Sequence, residues 1–485
     1  MKTSISSLGQ GTGLAWKRST SSFPPGSLAE LQEWTGGKTE PVGPSWPDDL
    51  VFTQWNTIGW GITDDGILCV KPWEGDTGET GAVINYTDVP WYDQRSKIKK
   101  VESTGTIVLN ARSAYLFYNC SNLTDLTTLA EWDVSNVTSM YYMFAGCSRL
   151  TDLTGLSGWK VSNVWTMSGM FQNCSNLADL TALKEWNVPN VNMSHMFAGC
   201  AKLTDLNGLA GWDMSEVMNT SYMFSGCSKL TDLTGISGWN VSKVEDMGSM
   251  FSGCSSLNDL RGLKNWDVSG VTSMSSMFSG CSSLNDLRGL ANWDVSGVTN
   301  MSSMFYSCSR LNDLRGLENW NVSSVTNMGA MFYNCYKLTD LTGLANWDVS
   351  GVTNMGSMFS GCSRLTDLDA LADWNVSSVT IMYAMFSGCS RLTDFDALAD
   401  WNVSEVTNMH HMFWGCSSLQ RIGIPSITND GQKLAANAED AKLTTVLPSI
   451  ISKDGSMGPY TWDELYTEMT TNPSAFQEGT VWVRE

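Results

Sequence analysis

Residues 281–307 read CSSLNDLRGLANWDVSGVTNMSSMFYS, and the 27 residues before them, 254–280, read CSSLNDLRGLKNWDVSGVTSMSSMFSG. Only four positions differ between the two stretches. Looser copies of the same unit follow one another through most of the chain. Repeats of this length are typical of solenoids, in which each unit packs on the next and buries a shared core.

Twelve cysteines mark the period of the repeat, and every gap between them is 27 residues except one of 26. They are Cys120, Cys147, Cys174, Cys200, Cys227, Cys254, Cys281, Cys308, Cys335, Cys362, Cys389 and Cys416. The chain has no CxxC pair and no Cys/His cluster at zinc spacing. We therefore predict buried free thiols that pack as small apolar groups, with a redox role as the weaker alternative.

The spacing of apolar residues inside one unit predicts its local structure. Met301, Met304, Phe305 and Cys308 stand at i, i+3, i+4 and i+7, which is the stripe of a short helix. Trp293 and Val295 flank a polar residue, an alternation that predicts a short strand. Each coil should then contain a strand, a short helix and an arc of turns, and the strands should form a parallel sheet.

The unit W-[DN]-V-S-x-V-T-x-M-x-x-M-F-x-G-C-S-x-L-x-D-L resembles the BspA-like leucine-rich repeats of bacterial surface proteins, in particular their 26–27-residue surface-lipoprotein repeat. The resemblance covers about residues 116–424. It implies a leucine-rich-repeat-like α/β solenoid, here a right-handed coil of about twelve units, and adhesion to or display on a surface. Members of that family usually carry a signal peptide or lipid anchor, and we recognise neither in this sequence.

Composition excludes several classes of function. Acidic residues outnumber basic ones by 49 to 29, which gives a net charge of −20 and disfavours nucleic acid and anionic membranes. No run of 18 apolar residues occurs, so we expect no membrane insertion. The sequence contains only three histidines and no catalytic or phosphate-binding motif, so we expect neither an enzyme nor a cofactor.

Two rows of polar residues repeat with the unit. Aspartate recurs five residues after each cysteine, as in Asp286, where a local turn explains it and calcium binding is an alternative. Aspartate or asparagine recurs next to the tryptophan, as in Asp294, where contact with sugar hydroxyls and a solvated turn both stay open.

The candidate ligand-binding residues are aromatic and histidine side chains at positions that vary between units. They are Tyr141, Tyr142, Tyr222, Tyr306, Tyr333, Tyr383, His410, His411 and Trp414. Exposed aromatics suit glycan stacking or protein contact, although they are also compatible with incidental surface positions. Tyr306 and Tyr333 occupy the same position one unit apart, so we expect them to be neighbours. His410 and His411 lack a third ligand for a metal site.

We predict four regions: an N-terminal arm at 1–50, a β-rich cap at 51–115, the repeat solenoid at 116–424, and a C-terminal α/β cap or attachment module at 425–485 with helices at 431–443 and 462–470. The sequence favours a non-enzymatic adhesin or receptor-binding protein, located in a virion or at a cell surface. Its expected partners are a cell-surface glycan or protein, and other virion proteins through the terminal regions. The alternative is a structural spacer or decoration protein whose terminal modules make the contacts.

Overall fold

The computed structural model describes residues 45–188, 191–393, 395–398, 400–419, 421–423, 450–452 and 481–484. The chain divides into two units, Met1–Gly43 and Pro44–Glu485, and every described residue belongs to the second. The predicted N-terminal arm therefore lies almost entirely outside the described residues. Both helices predicted at 431–443 and 462–470 also lie outside them.

A four-stranded sheet covers the first coil of the array. Its strands are β1 (Thr53–Trp55), β2 (Ile58–Ile62), β3 (Ile67–Pro72) and β4 (Lys100–Ser103). The first three pair antiparallel, and β4 pairs parallel to β3. Lys100 of β4 then forms a parallel bridge with Asp125, so the sheet passes directly into the repeats. This arrangement agrees with the predicted β-rich cap and closes the end of the core.

The repeats stack as the predicted solenoid, and identical side chains occupy identical places in one continuous core. The Trp, Met, Phe and Cys rows are buried in the described coils, except that Phe413 in the last coil is partly exposed. Phe278 and Phe305 show the spacing, with ring centroids 5.8 Å apart and planes only 10° from parallel. A 27-residue unit cannot bury these groups alone, so each coil depends on its neighbours for its core.

Short 3-10 helices form the arc between cysteine and tryptophan in most coils. Where a cap is described, it uses no side-chain hydrogen bond. The N-cap is a buried leucine of the arc, as at Leu153, Leu260 and Leu287. Two more lie in the N-terminal cap. The bounds are Tyr86–Asp88, Tyr92–Lys97, Thr127–Glu131, Thr154–Leu156, Thr181–Leu183, Asn207–Leu209, Thr234–Ile236, Arg261–Leu263, Arg288–Leu290, Thr342–Leu344, Asp369–Leu371 and Asp396–Leu398.

The short helix predicted for Met301–Cys308 is wrong. The segment is a series of turns, because Ser303 and Ser307 have φ of 57°, in the left-handed region that interrupts a helix. The backbone N–H of Met301, Ser303, Phe305 and Ser307 donates instead to carbonyls of the following coil, at 2.7 to 2.9 Å. The segment therefore combines short turns of its own, such as Met304 N–H to the carbonyl of Met301 at 3.2 Å, with hydrogen bonds to the next coil. The hydroxyl of Thr299 donates to the preceding coil.

The parallel pairing lies at a different place from the one that the sequence predicted. Trp293 and Val295 are buried and Asp294 is exposed, so the predicted alternation is confirmed. These residues form no strand, however. Parallel bridges instead join residues eight positions before each cysteine, such as Asn300 with Asn327. The Asn300 Oδ1 accepts the backbone N–H two residues on, which holds the turn that starts the next segment.

A three-stranded sheet of β5 (Arg421–Gly423), β7 (Val481–Arg484) and β6 (Ile450–Ser452) follows the array, in that spatial order. Both pairings are antiparallel. The strand predicted in the last residues of the chain is confirmed as β7. Among the described residues, no helix is long and apolar enough to cross a membrane.

Candidate functional site

All nine predicted site residues lie on one face of the array, which we name the aromatic face. It consists of the residues six, five and two positions before each repeat cysteine. Between these positions the methionine pair, the phenylalanine and the cysteine point into the core with almost no exposed surface. The turns therefore direct the intervening residues outward in every coil, and the core fixes their spacing along the stack.

A tyrosine cluster occupies the N-terminal end of the aromatic face. The predicted Tyr141 and Tyr142 have ring centroids 4.5 Å apart, and both rings contact Tyr115. Tyr118 and Tyr86 continue the cluster through contacts at 5.4 to 6.3 Å. Burial raises the pKa of Tyr115 to about 12, so its phenol is neutral at physiological pH.

Sequence reasoning missed the other four members of this cluster, namely Tyr86, Tyr92, Tyr115 and Tyr118. Tyr115 and Tyr118 occupy the first unit, whose SAYLFYNC departs from the methionine pattern of later units. Counting back five and two residues from Cys120 would have found both. Tyr86 and Tyr92 belong to the cap, where no repeat position marks them.

Two stacked pairs lie farther along the face. His195 and Tyr222 stack at 4.5 Å with planes 10° apart, and burial lowers the pKa of His195. Tyr306 and Tyr333 stack at 4.7 Å with planes 6° apart, which confirms that they are neighbours. The exposed Tyr336, which the sequence analysis missed, lies close enough to Tyr306 to contribute to the raised pKa of its phenol, after burial and Tyr333.

The C-terminal end of the face carries the remaining predicted residues. Tyr383 is 45% exposed, and its ring lies 2.7 Å from the place that a Cβ on Gly356 would take. His411 contacts both His410 and Trp414, with centroids 6.5 Å apart in each case. The described part of the chain contains no group of three or more His, Cys, Asp or Glu residues placed to hold a metal ion.

Left-handed backbone recurs five residues before each cysteine and is not particular to the aromatic residues. Tyr142 and His411 have φ of 53° and 58°, but Ser276 and Ala330 have 57° and 55° at the same position. The conformation therefore belongs to the turn that every coil repeats. It directs the side chain away from the core, whichever residue occupies the position.

The aromatic face carries no Asp, Glu, Lys or Arg at any of its three positions in the twelve coils. Away from the aromatic groups it presents mainly serine, glycine and alanine, as at Gly248, Ser276 and Ser279. A chain with a net charge of −20 has thus kept one face free of formal charge. A face of this composition offers aromatic rings and hydroxyl groups rather than partners for ion pairs.

The two acidic rows lie elsewhere and have local partners. Asp286 accepts the backbone N–H of Arg288 at 3.0 Å and its guanidinium at 2.6 Å, which lowers the pKa of the carboxyl. Asp294 accepts the backbone N–H of Ser296 at 3.1 Å. Local turns account for both positions, in agreement with the turn interpretation of each row.

The cysteine row is buried and its sulfurs donate to the backbone of the preceding coil. The Cys308 Sγ lies 3.2 Å from the carbonyl of Phe278, and Cys335 repeats this contact with Phe305 at 3.3 Å. Burial raises the pKa of these thiols, to about 12 for Cys281. All thirteen cysteines are free thiols, as predicted.

Comparisons with known proteins identify the repeat. Residues 111–234, 191–313, 258–343 and 337–426 match the family described as Mycoplasma protein of unknown function, DUF285. No curated protein matches the chain.

Two solved bacterial structures resemble the chain. A leucine-rich repeat protein from Eubacterium ventriosum is 16% identical, covers 78% of this chain and 97% of its own, and gives a TM-score of 0.38. A leucine rich cell surface protein from Faecalibacterium prausnitzii is 18% identical, covers 79% and 96%, and gives 0.34. Both are bacterial leucine-rich repeat proteins, the class that the repeat pattern resembles. Because the four family matches together run through residues 111–426, more than half of the chain, the protein belongs to the DUF285 family.

Proposed function

We propose that this protein is a non-enzymatic surface-recognition protein whose aromatic face binds a glycan or protein on a cell surface. One observation carries the proposal: the inward positions of the coils hold nearly the same residues throughout, whereas aromatic groups replace small residues only at certain outward positions. Packing explains the inward constancy. It does not explain why Tyr306 and Tyr333 stand where neighbouring coils have serine.

The stacked pair of Tyr306 and Tyr333 is the centre of the proposed site. Both rings are partly exposed, and Tyr336 adjoins them. Aromatic side chains present a large contact area at a small cost in conformational entropy, which is why they dominate binding surfaces. The serine hydroxyls of adjacent coils supply hydrogen-bond partners beside the rings.

The test compares two double variants of the full chain for binding to whole cells and to a glycan array. The Tyr306→Ala/Tyr333→Ala variant should lose about ten-fold or more in affinity, since buried aromatic contacts at binding surfaces commonly contribute about 2 kcal/mol or more each. The matched control is Ser252→Ala/Ser279→Ala, which alters the same position in two adjacent coils that carry no ring. It should bind as the unaltered chain does.

The melting temperature of both variants should stay within a few degrees of the unaltered protein, because the altered side chains lie outside the core. Equal binding by the tyrosine variant and its control would contradict the proposal. That result would favour the spacer function, in which the array only separates the terminal modules.

We further propose that the protein carries out this recognition as a component of a virion. This proposal predicts that the protein copurifies with phage particles through a density gradient. Recovery of the protein only in cell-envelope fractions, with none in the particles, would instead place recognition at a bacterial surface.

A further inference from the structure

A row of basic residues borders the aromatic face. It occupies the second position after the repeat cysteine, where the twelve coils hold seven Lys or Arg residues and no Asp or Glu. All seven are exposed. They are Arg149, Lys202, Lys229, Arg310, Lys337, Arg364 and Arg391. In a chain with 49 acidic and 29 basic residues, this concentration of one sign on one row is a departure from the overall composition.

Four of these cations stand in four consecutive coils: Arg310, Lys337, Arg364 and Arg391. Parallel neighbours are about 4.8 Å apart, so the four coils span about 14 Å. Like charges on adjacent strands repel each other. None of the four side chains has a hydrogen bond or ion pair within the part of the chain that the structure describes.

The neighbouring basic row behaves differently, which shows that pairing is available in this fold. Arg261, Arg288 and Arg315 stand seven positions after their cysteines, and each pairs with the aspartate two residues before it, at 2.6 to 3.0 Å. The row at the second position has no such aspartate beside it. Its four side chains form no such pair in the described residues, so they stay available to a ligand with regularly spaced negative charges.

Three of the four cations stand in coils whose aromatic face carries a tyrosine, and the coil of Arg364 carries none. Arg310 and Lys337 follow Tyr306 and Tyr333 by four residues each, in the turn that leaves the face. Lys337 directly follows the exposed Tyr336. The stacked pair and two of the cations therefore share two adjacent coils, and Tyr383 shares the coil of Arg391.

We propose that this composite surface binds a linear anionic polysaccharide, with its sugar rings on Tyr306 and Tyr333 and its acidic groups on the row from Arg310 to Arg391. The inference rests on the proposed recognition function and names the class of ligand. The spacing of neighbouring coils along the stack, about 4.8 Å, is comparable to the length of one pyranose unit in an extended polysaccharide. Successive acidic sugars therefore meet successive cations. The serines of the face offer hydroxyl partners for neutral parts of the chain.

A single polysaccharide chain fits this surface better than duplex nucleic acid does. The charge-free face is bordered beyond the basic row by the aspartate row that contains Asp313 and Asp340. A narrow glycan stays between the rings and the cations. A duplex is wide enough to bring its second phosphate backbone over the aspartates, where it would be repelled.

The test measures binding of fluorescent polygalacturonate oligosaccharides to the full chain by fluorescence polarisation. The fully methyl-esterified oligosaccharide of the same length is the matched neutral probe, and a DNA duplex of equal charge is the matched nucleic acid. We expect the acidic oligosaccharide to bind, and to bind more weakly as salt is added. We expect the ester and the duplex to bind at least about ten-fold more weakly.

The decisive variant is Arg310→Gln/Lys337→Gln/Arg364→Gln/Arg391→Gln. Its control removes four exposed cations that lie off the row and have no ion pair in the described residues: Lys99→Gln/Lys160→Gln/Lys184→Gln/Lys264→Gln. Both variants lose the same charge. Four exposed charge contacts correspond to a loss of about ten-fold or more for the first variant, and the control should bind within about two-fold of the unaltered protein.

The results separate this inference from the recognition function itself. Four results would each overturn the inference. The two variants could lose affinity equally, or the Arg310→Gln/Lys337→Gln/Arg364→Gln/Arg391→Gln variant could bind as tightly as the unaltered protein. The duplex could bind tightly, or the acidic oligosaccharide could fail to bind. If the methyl ester binds as tightly as the acid and Tyr306→Ala/Tyr333→Ala abolishes that binding, recognition by the aromatic face stands and the anionic ligand is wrong.

Discussion

The tryptophan row provides the sharpest test of the packing. Trp293 stacks between Trp266 and Trp320, with centroids 6.5 Å away on both sides and planes 1° and 2° from parallel. Its Nε1 donates to the carbonyl of Leu263 at 3.0 Å, and only 3% of its surface is exposed. Replacing it removes both contacts and opens a cavity that neighbouring coils cannot fill.

Trp293→Ala should lower the free energy of unfolding by about 3–5 kcal/mol, the usual cost of removing a buried aromatic side chain. Trp293→Phe keeps a ring in the row but removes one of the two donors to the carbonyl of Leu263, which still accepts the backbone N–H of Trp266 at 3.1 Å. The lost hydrogen bond and the smaller ring together should cost about 1–3 kcal/mol. Urea unfolding followed by circular dichroism measures both values. Trp266→Ala should agree with Trp293→Ala, since the two coils are nearly identical in sequence.

Trp165→Ala is the matched control, because this tryptophan is 61% exposed and lies outside the row. It should change the free energy of unfolding by no more than about 0.5 kcal/mol. The reasoning would be refuted by a cost below about 1 kcal/mol for Trp293→Ala, or by a phenylalanine variant as unstable as the alanine variant.

Three further predictions follow from the coil. In the native protein at pH 8, Cys308 should resist alkylation by iodoacetamide, because burial raises the pKa of its thiol, whereas in urea it should be labelled readily. Mass spectrometry of the alkylated chain measures the labelling, and rapid labelling of the native protein would contradict the prediction. Gly280→Ala should destabilise by about 1 kcal/mol, since φ there is +71°, and Ser307→Gly at the same position should stabilise; calorimetry showing the reverse order would contradict this. Hydrogen bonding from Arg288 holds the pKa of Asp286 below its ordinary value, so the stability that this pair gives is present at neutral pH and is lost as the pH falls below about 4. Asp286→Asn should therefore flatten the acidic part of the curve of melting temperature against pH. An unchanged curve would exclude the contribution.

The stacked core could be predicted from the sequence because the period places the same side chain in the same environment each time. The run of turns at Met301–Cys308 could not be predicted in this way, because a helix and a run of turns give the same stripe of buried residues. A signal was present in the residue before each cysteine, which is glycine, asparagine or serine throughout. Glycine and asparagine adopt left-handed backbone more readily than most residues, and Ser307 adopts it here at the same position.

The positions of the candidate site residues could be predicted where the repeat shows which side chains face the core and which face solvent. The nine residues share one face because the turns alternate between core and solvent in every coil. Tyr86 and Tyr92 were missed because the cap has no repeat against which an outward position could be recognised. Tyr336 was missed because serine usually stands after the cysteine, a position where its hydroxyl bonds the preceding coil, as Ser309 does with Ser282.

The backbone hydrogen bonds that join the Met–Phe–Cys segments of neighbouring coils all point the same way along the stack. Met301, Ser303, Phe305 and Ser307 each donate forward, and the following coils repeat the pattern. Their peptide dipoles consequently add rather than cancel along this wall, with the positive pole toward the C-terminal coil. At the opposite pole, the carbonyls of Arg112 and Leu116 accept from Val83 and Trp91 of the cap. The two ends of the array are therefore chemically unlike, and any extra unit must join in the one polarity that matches donors to acceptors.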